Sequence, residues 1–219
     1  MKNNLPAGIV GGALLLAACA GAAGNPAAEL SSAEVREYEG QDLSLIDDFR
    51  ENSIAGPQNV SLATYHLEIN GAVATPLSLT YDQVLAQPAY RKVVTLHCVE
   101  GWDATILWQG VLIDDLLAQA GVRPDAVTVI FRAADGYTTS LSLADVRQKK
   151  ILLAYKMNDI NIPPERGFPF MVVAESKWGY KWAKWVTQIE LSADPDYKGY
   201  WEQRGYNANG DQAGPMFAQ

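Results

Sequence analysis

Short β-branched and apolar runs, each closed by a turn signal, set the rhythm of this chain and limit what it can fold into. Thr64–Asn70 alternates as a strand and ends on the turn pair Asn70-Gly71. Leu77–Leu79 is a second, short strand. A helix follows from Thr80, where Thr80 and Gln83 stand at capping-box spacing and Val84 and Leu85 supply the apolar face. Arg91–Cys98 and Ala104–Trp108 read as strands. Gln109-Gly110 is then expected to turn the chain into a helix with Leu112, Leu116, Leu117 and Ala120 on one face, stopped by Gly121. Val127–Ala133 and Tyr137–Leu143 predict a hairpin around Asp135-Gly136, and Ser142 caps a short helix over 144–149. Further strands are expected at Ile151–Met157, Phe170–Glu175 and Trp185–Leu191, with a proline-rich loop over 158–169. Single helices set among hairpins, with no regular strand–helix–strand alternation, predict an α+β fold in a single domain.

A chain of 219 residues, 48% of them hydrophobic, has room for one substantial core. Its net charge of −8 argues against a nucleic-acid partner, because no basic patch is available to neutralise many phosphates. The N-terminus reads as a lipoprotein signal peptide over residues 1–18. Lys2 supplies the charged start, Ile9–Leu16 the apolar stretch, and Leu16-Ala17-Ala18-Cys19 resembles a bacterial lipobox. Lipidation of Cys19 would tie the protein to a membrane on its extracytoplasmic or periplasmic side, in the cell envelope. Residues 19–40 are expected to form a flexible tether, since 20–36 are rich in Ala, Gly, Ser and Glu. The domain proper is expected over 41–219. Its tail from Asp194 carries Tyr197, Tyr200, Trp201, Tyr206 and Phe217, too aromatic a set to stay in solvent.

Two stretches carry the candidate chemistry. In Val93–Asp103, reading VVTLHCVEGWD, a buried strand delivers His97 and Cys98 to a turn with Glu100, Gly101 and Trp102. With Cys19 committed to lipid, Cys98 has no disulfide partner. A nucleophile needs a base, yet His97 is its immediate neighbour on a strand and points to the opposite face, while His66 belongs to another strand. Zinc needs three or four ligands at short spacing, which Cys98, His97 and Glu100 do not supply. A lone thiol then serves either as core or as one ligand to a metal that arrives inside a cofactor. The second stretch, Lys177–Trp185, reads KWGYKWAKW. Its lysines at i, i+4 and i+7 fit a solvated helix face, which Gly179 and like-charge repulsion weaken. They also suit an anion such as a phosphate, with the aromatics walling a pocket for a flat organic group.

With these motifs, residues 45–195 resemble the molybdopterin-binding domain of the sulfite oxidase superfamily. The residues that carry the resemblance are Val93–Trp108, Tyr137–Ser140 and Gly167–Leu191, and the run C-V-E-G-W followed by I-L-W is closest to the periplasmic protein-methionine-sulfoxide reductase branch. The resemblance implies a mixed-sheet α+β fold and molybdenum-molybdopterin as cofactor. It matches Cys98 to the cysteine whose thiolate binds molybdenum, and Glu100 to a catalytic carboxylate near the metal that moves protons. Asn52 matches a pterin contact, and Trp182, Ala183 and Lys184, with Lys181 beside them, match the segment that holds the cofactor's phosphate end.

The departures also bear on function. Glu51 stands where sulfite oxidases carry an arginine for the sulfite anion, which turns the expectation away from sulfite. Met171 replaces a frequent arginine, and Arg166 replaces a frequent asparagine and is expected to supply the missing cofactor-binding cation. The expected reaction is two-electron oxygen-atom transfer, with a small-molecule or protein sulfoxide as substrate. Electrons are expected from a membrane haem subunit, and the protein is expected to be a monomer. The competing expectation is a cofactor-free binding lipoprotein on the same fold.

Overall fold

The computed structural model describes residue 1 and residues 33–218. The signal peptide, Cys19 and most of the tether lie outside the described residues. Among the described residues the strands form two five-stranded sheets and one two-stranded ribbon. The ribbon pairs β1 (Glu37–Tyr38) with β2 (Gln41–Asp42). Ordered structure therefore starts before residue 41. Glu34 is buried, and its carboxylate accepts from the Ile46 N–H at 2.9 Å and from Asn158 Nδ2 at 3.2 Å. A buried carboxylate with two donors is not part of a solvated tether.

The first sheet is built from β5 (Tyr90–His97), β6 (Asp103–Leu112), β9 (Leu152–Met157), β10 (Ile160–Asn161) and β11 (Met171–Val173). Its order runs β10-β9-β6-β5, with β11 also on β9, and every pairing is antiparallel. The second sheet joins β3 (Leu67–Gly71), β4 (Leu77–Leu79), β7 (Thr128–Ala133), β8 (Thr138–Ser142) and β12 (Val186–Ser192) in the order β4-β3-β12-β7-β8. There β12 runs parallel to β3 and antiparallel to β7. The helices are α1 (Tyr81–Leu85), α2 (Ile113–Ala120) and α3 (Leu143–Gln148). Ile106, Trp108, Phe131, Phe170 and Ile189 lie in the core between these elements, each fully or almost fully buried. This is the α+β architecture that the alternation of hairpins and single helices predicts. No helix among the described residues is long and apolar enough to cross a membrane.

Two caps form as the sequence requires. The Thr80 side chain accepts from the Gln83 N–H at 3.3 Å while Gln83 Oε1 accepts from the Thr80 N–H at 2.8 Å. Ser142 Oγ accepts from the Asp145 N–H at 3.0 Å. Replacing Thr80 with alanine is expected to cost about 1 kcal/mol of stability, measured as a shift in urea midpoint. One turn does not form. Strand β6 runs through Gln109-Gly110 to Leu112 instead of reversing, with a register irregularity against β9 at that pair. Gly110 is there because β9 passes too close for a side chain: a Cβ would collide with Leu153 O and lie 2.6 Å from Ala154 Cα.

Topology places the site. The turn closing the β5–β6 hairpin belongs to the first sheet and the β7–β8 turn to the second. The connection from β11 to β12 crosses from one sheet to the other, and it contains the lysine–tryptophan run.

Candidate active site

Cys98 stands one residue past the end of β5. Its N–H donates to Trp102 O at 2.9 Å, and its carbonyl accepts from the Gly101 N–H at 3.1 Å. Gly101, at φ +84°, supplies the left-handed residue this tight turn needs. The thiol turns inward, with the residue 4% exposed, and Asn52 Nδ2 donates to Sγ at 3.4 Å. His97 faces away, its exposed ring Nδ1 lying 2.8 Å from Asp103 Oδ1, and His66 Nδ1 lies 3.3 Å from Thr64 O. Neither histidine reaches the sulfur, so activation by histidine fails on geometry. Burial is the main reason the thiol's pKa is raised, with Glu100's charge adding to it against hydrogen bonds from the Glu100 backbone and Asn52. A thiol held protonated in this way must release its proton to become a metal ligand. Among the described residues no three His, Cys, Asp or Glu side chains cluster to hold a bare metal ion.

The sulfur lines a cavity of about 190 Å³. Asn52 and Glu100 join Cys98 on one wall, and Glu100 Oε2 accepts from Trp102 Nε1 at 3.3 Å. The β7–β8 turn contributes Asp135 and Tyr137. The β11–β12 connection contributes Tyr180, Trp182, Lys184 and Trp185. Trp182 packs 5.8 Å from Trp108, which ties this wall to the core of the first sheet. Trp185 adopts a left-handed backbone (φ +51°) held by complete burial and by its Nε1 donating to Pro164 O at 2.6 Å. Such a strained conformation persists only where packing over-determines it.

The three lysines do not converge. A 3-10 turn over Gly179–Lys181 replaces the helix face, and it sends each ammonium to a different carboxylate. Lys177 reaches Asp145 at 2.8 Å and Asp211 at 2.7 Å. Lys181 is fully buried with Nζ 2.6 Å from Glu202 Oε1 and 2.8 Å from Ala208 O, away from the cavity. Lys184 alone lines the cavity, 9% exposed, with Nζ 3.0 Å from Glu51 Oε1 and 4.8 Å above the Trp185 ring. Burial lowers the Lys184 pKa and Glu51 opposes that. Burial would raise Glu51, but hydrogen bonds from Ser53 and Lys184 hold it below the usual carboxylate range. Arg166 also stays outside the lining. Its Nε donates to Ile46 O at 3.3 Å, and its guanidinium lies 4.0 Å from Asp47. Ala183 is buried and offers its carbonyl to the Val172 N–H at 2.9 Å, so it supports the segment from behind.

Several cavity residues carry no local sequence signal for the site. Asp135 was visible only as a turn residue, yet its half-buried carboxyl faces the cavity. Burial raises its pKa against hydrogen bonds from the Tyr137 N–H and its own, and against Lys184. Tyr137 donates its hydroxyl to Tyr180 O. Trp201 and Tyr206 come from the tail, which packs on the domain as its aromatic content predicts. Their density of aromatic rings was the available signal.

Comparison with known proteins identifies the family. The oxidoreductase molybdopterin binding domain family matches residues 54–201. The uncharacterized oxidoreductase YuiH of Bacillus subtilis is 36% identical over 156 residues, which cover 71% of this chain and 78% of that protein. The putative protein-methionine-sulfoxide reductase subunit YedZ1 of Azospira oryzae is 33% identical, over 68% of this chain and 57% of its own length. Mitochondrial sulfite oxidase of Rattus norvegicus is 30% identical over 72% of this chain, which spans only 34% of that protein. The fold matches the sulfane dehydrogenase SoxCD from Paracoccus pantotrophus with a TM-score of 0.62 at 21% identity, covering 81% of this chain and 55% of that one. These relatives spread over several branches, and similarity does not single one out. The chain belongs to the oxidoreductase molybdopterin binding domain family, with the mixed α+β fold of the sulfite oxidase type.

Proposed function

We propose that this protein is a molybdopterin-dependent oxidoreductase of the cell envelope that transfers an oxygen atom in a two-electron reaction, with a sulfoxide-type compound as substrate. One observation carries the reading: a buried thiol, Cys98, lines a cavity with Asn52 on its sulfur, and among the described residues no histidine reaches it and no cluster of three metal-ligating side chains stands ready for a bare ion. The donor set fits a metal that enters already ligated, because one soft thiolate is then the only protein ligand required. When bound, molybdopterin supplies a molybdenum centre that exchanges an oxygen atom and two electrons with the substrate.

The chain's own side chains then have distinct tasks. Cys98 gives up its proton and offers a thiolate, which Asn52 orients. Trp182 forms the wall for the flat part of the cofactor. Lys184 meets its anionic end and is shared there with Glu51. Glu100, with Trp102 on Oε2, holds or moves a proton close to the sulfur. Arg166, Lys181 and Ala183 shape this segment without facing the cavity. Cys19 is the lipid attachment site in this reading, and a membrane haem subunit supplies electrons.

Elemental analysis and mass spectrometry test the assignment. Protein purified from its native host is expected to contain about one molybdenum per chain, with a pterin of matching mass, as a single-thiolate site requires. Cys98→Ala is expected to lose the molybdenum. Metal-free wild-type protein from a host that makes the cofactor would sink the proposal.

A further inference from the structure

We propose that residues 50–64 form a gate over the cavity, latched by the Glu51–Lys184 ion pair, and that a guest bearing a phosphate-type anion enters by competing with Glu51 for Lys184. This deepens the oxidoreductase reading and rests on it only for the identity of the natural guest.

The first observation is how little holds this segment. Its ends are fixed: Phe49 is buried against Trp102 and Trp108, and Tyr65 is buried with its hydroxyl donating to Val186 O at 2.6 Å. Between them, residues 50–60 lie in no helix or strand, and among the described residues none of their backbone groups bonds to backbone elsewhere. Two polar side-chain contacts tie them to the domain. Glu51 Oε1 accepts from Lys184 Nζ at 3.0 Å, and Asn52 Nδ2 donates to Cys98 Sγ at 3.4 Å. Ile54 and Val60 add partly buried apolar contacts. The other walls are better secured. The β5–β6 and β7–β8 turns close hydrogen-bonded hairpins, and the β11–β12 connection is pinned by the sealed Lys181–Glu202 pair. A segment with few buried contacts and no backbone ladder opens at low cost, so this wall yields first.

The second observation combines size and charge. Asn52, Ser53 and Ile54 line the cavity, whose volume of about 190 Å³ is below the roughly 300–1,000 Å³ usual for sites of small molecules and cofactors, so such a guest needs a wall to retreat. The latch sits where an anionic guest would bind. Lys184 lines the cavity, and Glu51 holds its ammonium from outside the lining. An anion that reaches Lys184 takes over from Glu51, so opening the latch leaves no buried cation unpaired. Glu51 Oε1 also accepts from the Ser53 N–H at 2.8 Å, which couples the latch directly to the cavity wall. Ser53 Oγ is buried with no partner among the described residues, so the moving wall carries a hydrogen-bonding group that closure leaves unused.

Thiol labelling of the full-length protein, made in a host without the molybdopterin pathway, tests the gate. The rate at Cys98 is followed by peptide mass mapping, with N-methylmaleimide and with the bulkier N-pyrenylmaleimide. Glu51→Gln keeps an acceptor for the Ser53 N–H but removes the charge of the latch. It is expected to raise the bulky reagent's rate about ten-fold, the size of one charge-assisted hydrogen bond, and the small reagent's rate much less. Lys184→Met is expected to raise the bulky rate similarly. A purely electrostatic effect on the thiol would instead move the two variants in opposite directions, because one strips an anion and the other a cation. Calorimetry with inorganic pyrophosphate completes the test. Glu51→Gln is expected to bind it about ten-fold more tightly than the wild type, and Lys184→Met to lose binding. Near-ultraviolet circular dichroism checks that both variants keep their fold. Bulky labelling unchanged in either variant, or pyrophosphate bound no more tightly by Glu51→Gln, would overturn the proposal. Native-host protein free of molybdenum and pterin would end the oxidoreductase reading and leave the gate to stand on the labelling and calorimetry.

Discussion

Lys181→Met is expected to cost about 3–5 kcal/mol of stability, the usual penalty for removing one partner of a buried ion pair. Both side chains of the Lys181–Glu202 pair are sealed from solvent, at 0% and 1% exposure. Methionine would fill most of the space of the lysine stem but leave the Glu202 carboxylate without its cation. The second oxygen, Oε2, already has no hydrogen-bond partner, so only Thr139 would remain to stabilise the charge. Burial is the main cause that pushes the Lys181 pKa down, with the Lys177 charge adding to it, and Glu202 is the main opposing influence, so the pair stands or falls together. Adding Glu202→Leu to Lys181→Met is therefore expected to recover most of the loss, because an apolar pair carries no desolvation penalty. Guanidinium unfolding of the two single variants and the double variant closes the cycle. The tail adds a second readout. Glu202 and Ala208 both anchor to the Lys181 ammonium, so hydrogen exchange is expected to rise first over residues 200–211, ahead of the sheets. Uniform loss of protection across the whole chain, or a double variant as unstable as the single, would show that the pair does not hold the tail.

What the sequence made legible follows from the range of the interactions involved. Caps are local, so Thr80 with Gln83 and Ser142 with Asp145 could be read from spacing alone. The β7–β8 hairpin was equally visible because Asp135-Gly136 carries its own turn chemistry. The position of the thiol was legible too, since strand alternation puts Cys98 and His97 on opposite faces whatever packs against them. The lysine run is set by the opposite kind of interaction. Spacing brings Lys177, Lys181 and Lys184 close together, but their partners come from three separate stretches: Glu51, Asp145, and the tail with Glu202 and Asp211. Nothing local says which carboxylate each ammonium will meet. The tail shows the same limit: its aromatic content predicts that it docks, whereas the assignment of Trp201 and Tyr206 to the cavity depends on tertiary contacts alone. The position of Glu34 depends likewise on Asn158, more than a hundred residues away.

Gly110 shows how a local signal is overridden, and Gly110→Ala is expected to destabilise by about 3 kcal/mol, at the upper end for an overpacked site. Gln109-Gly110 has the composition of a turn, yet both residues lie inside β6. There glycine serves close approach rather than backbone freedom, with Leu153 and Ala154 of β9 pressed against its Cα. The added methyl would meet backbone atoms, which cannot rotate away as a side chain could. Relief requires β6 and β9 to separate at the centre of the first sheet, where the strands on both sides depend on that ladder. Gly136 supplies the contrast. It sits at φ +83° in the β7–β8 turn with open space around it, so Gly136→Ala meets no atom and costs only about 1 kcal/mol of backbone strain. Guanidinium midpoints for the two variants are expected to differ in that order, with Gly110→Ala the lower. Equal midpoints would mean that the sheet absorbs the methyl by a small shift, and that the irregularity at Gln109-Gly110 is a flexible joint rather than a tight crossing.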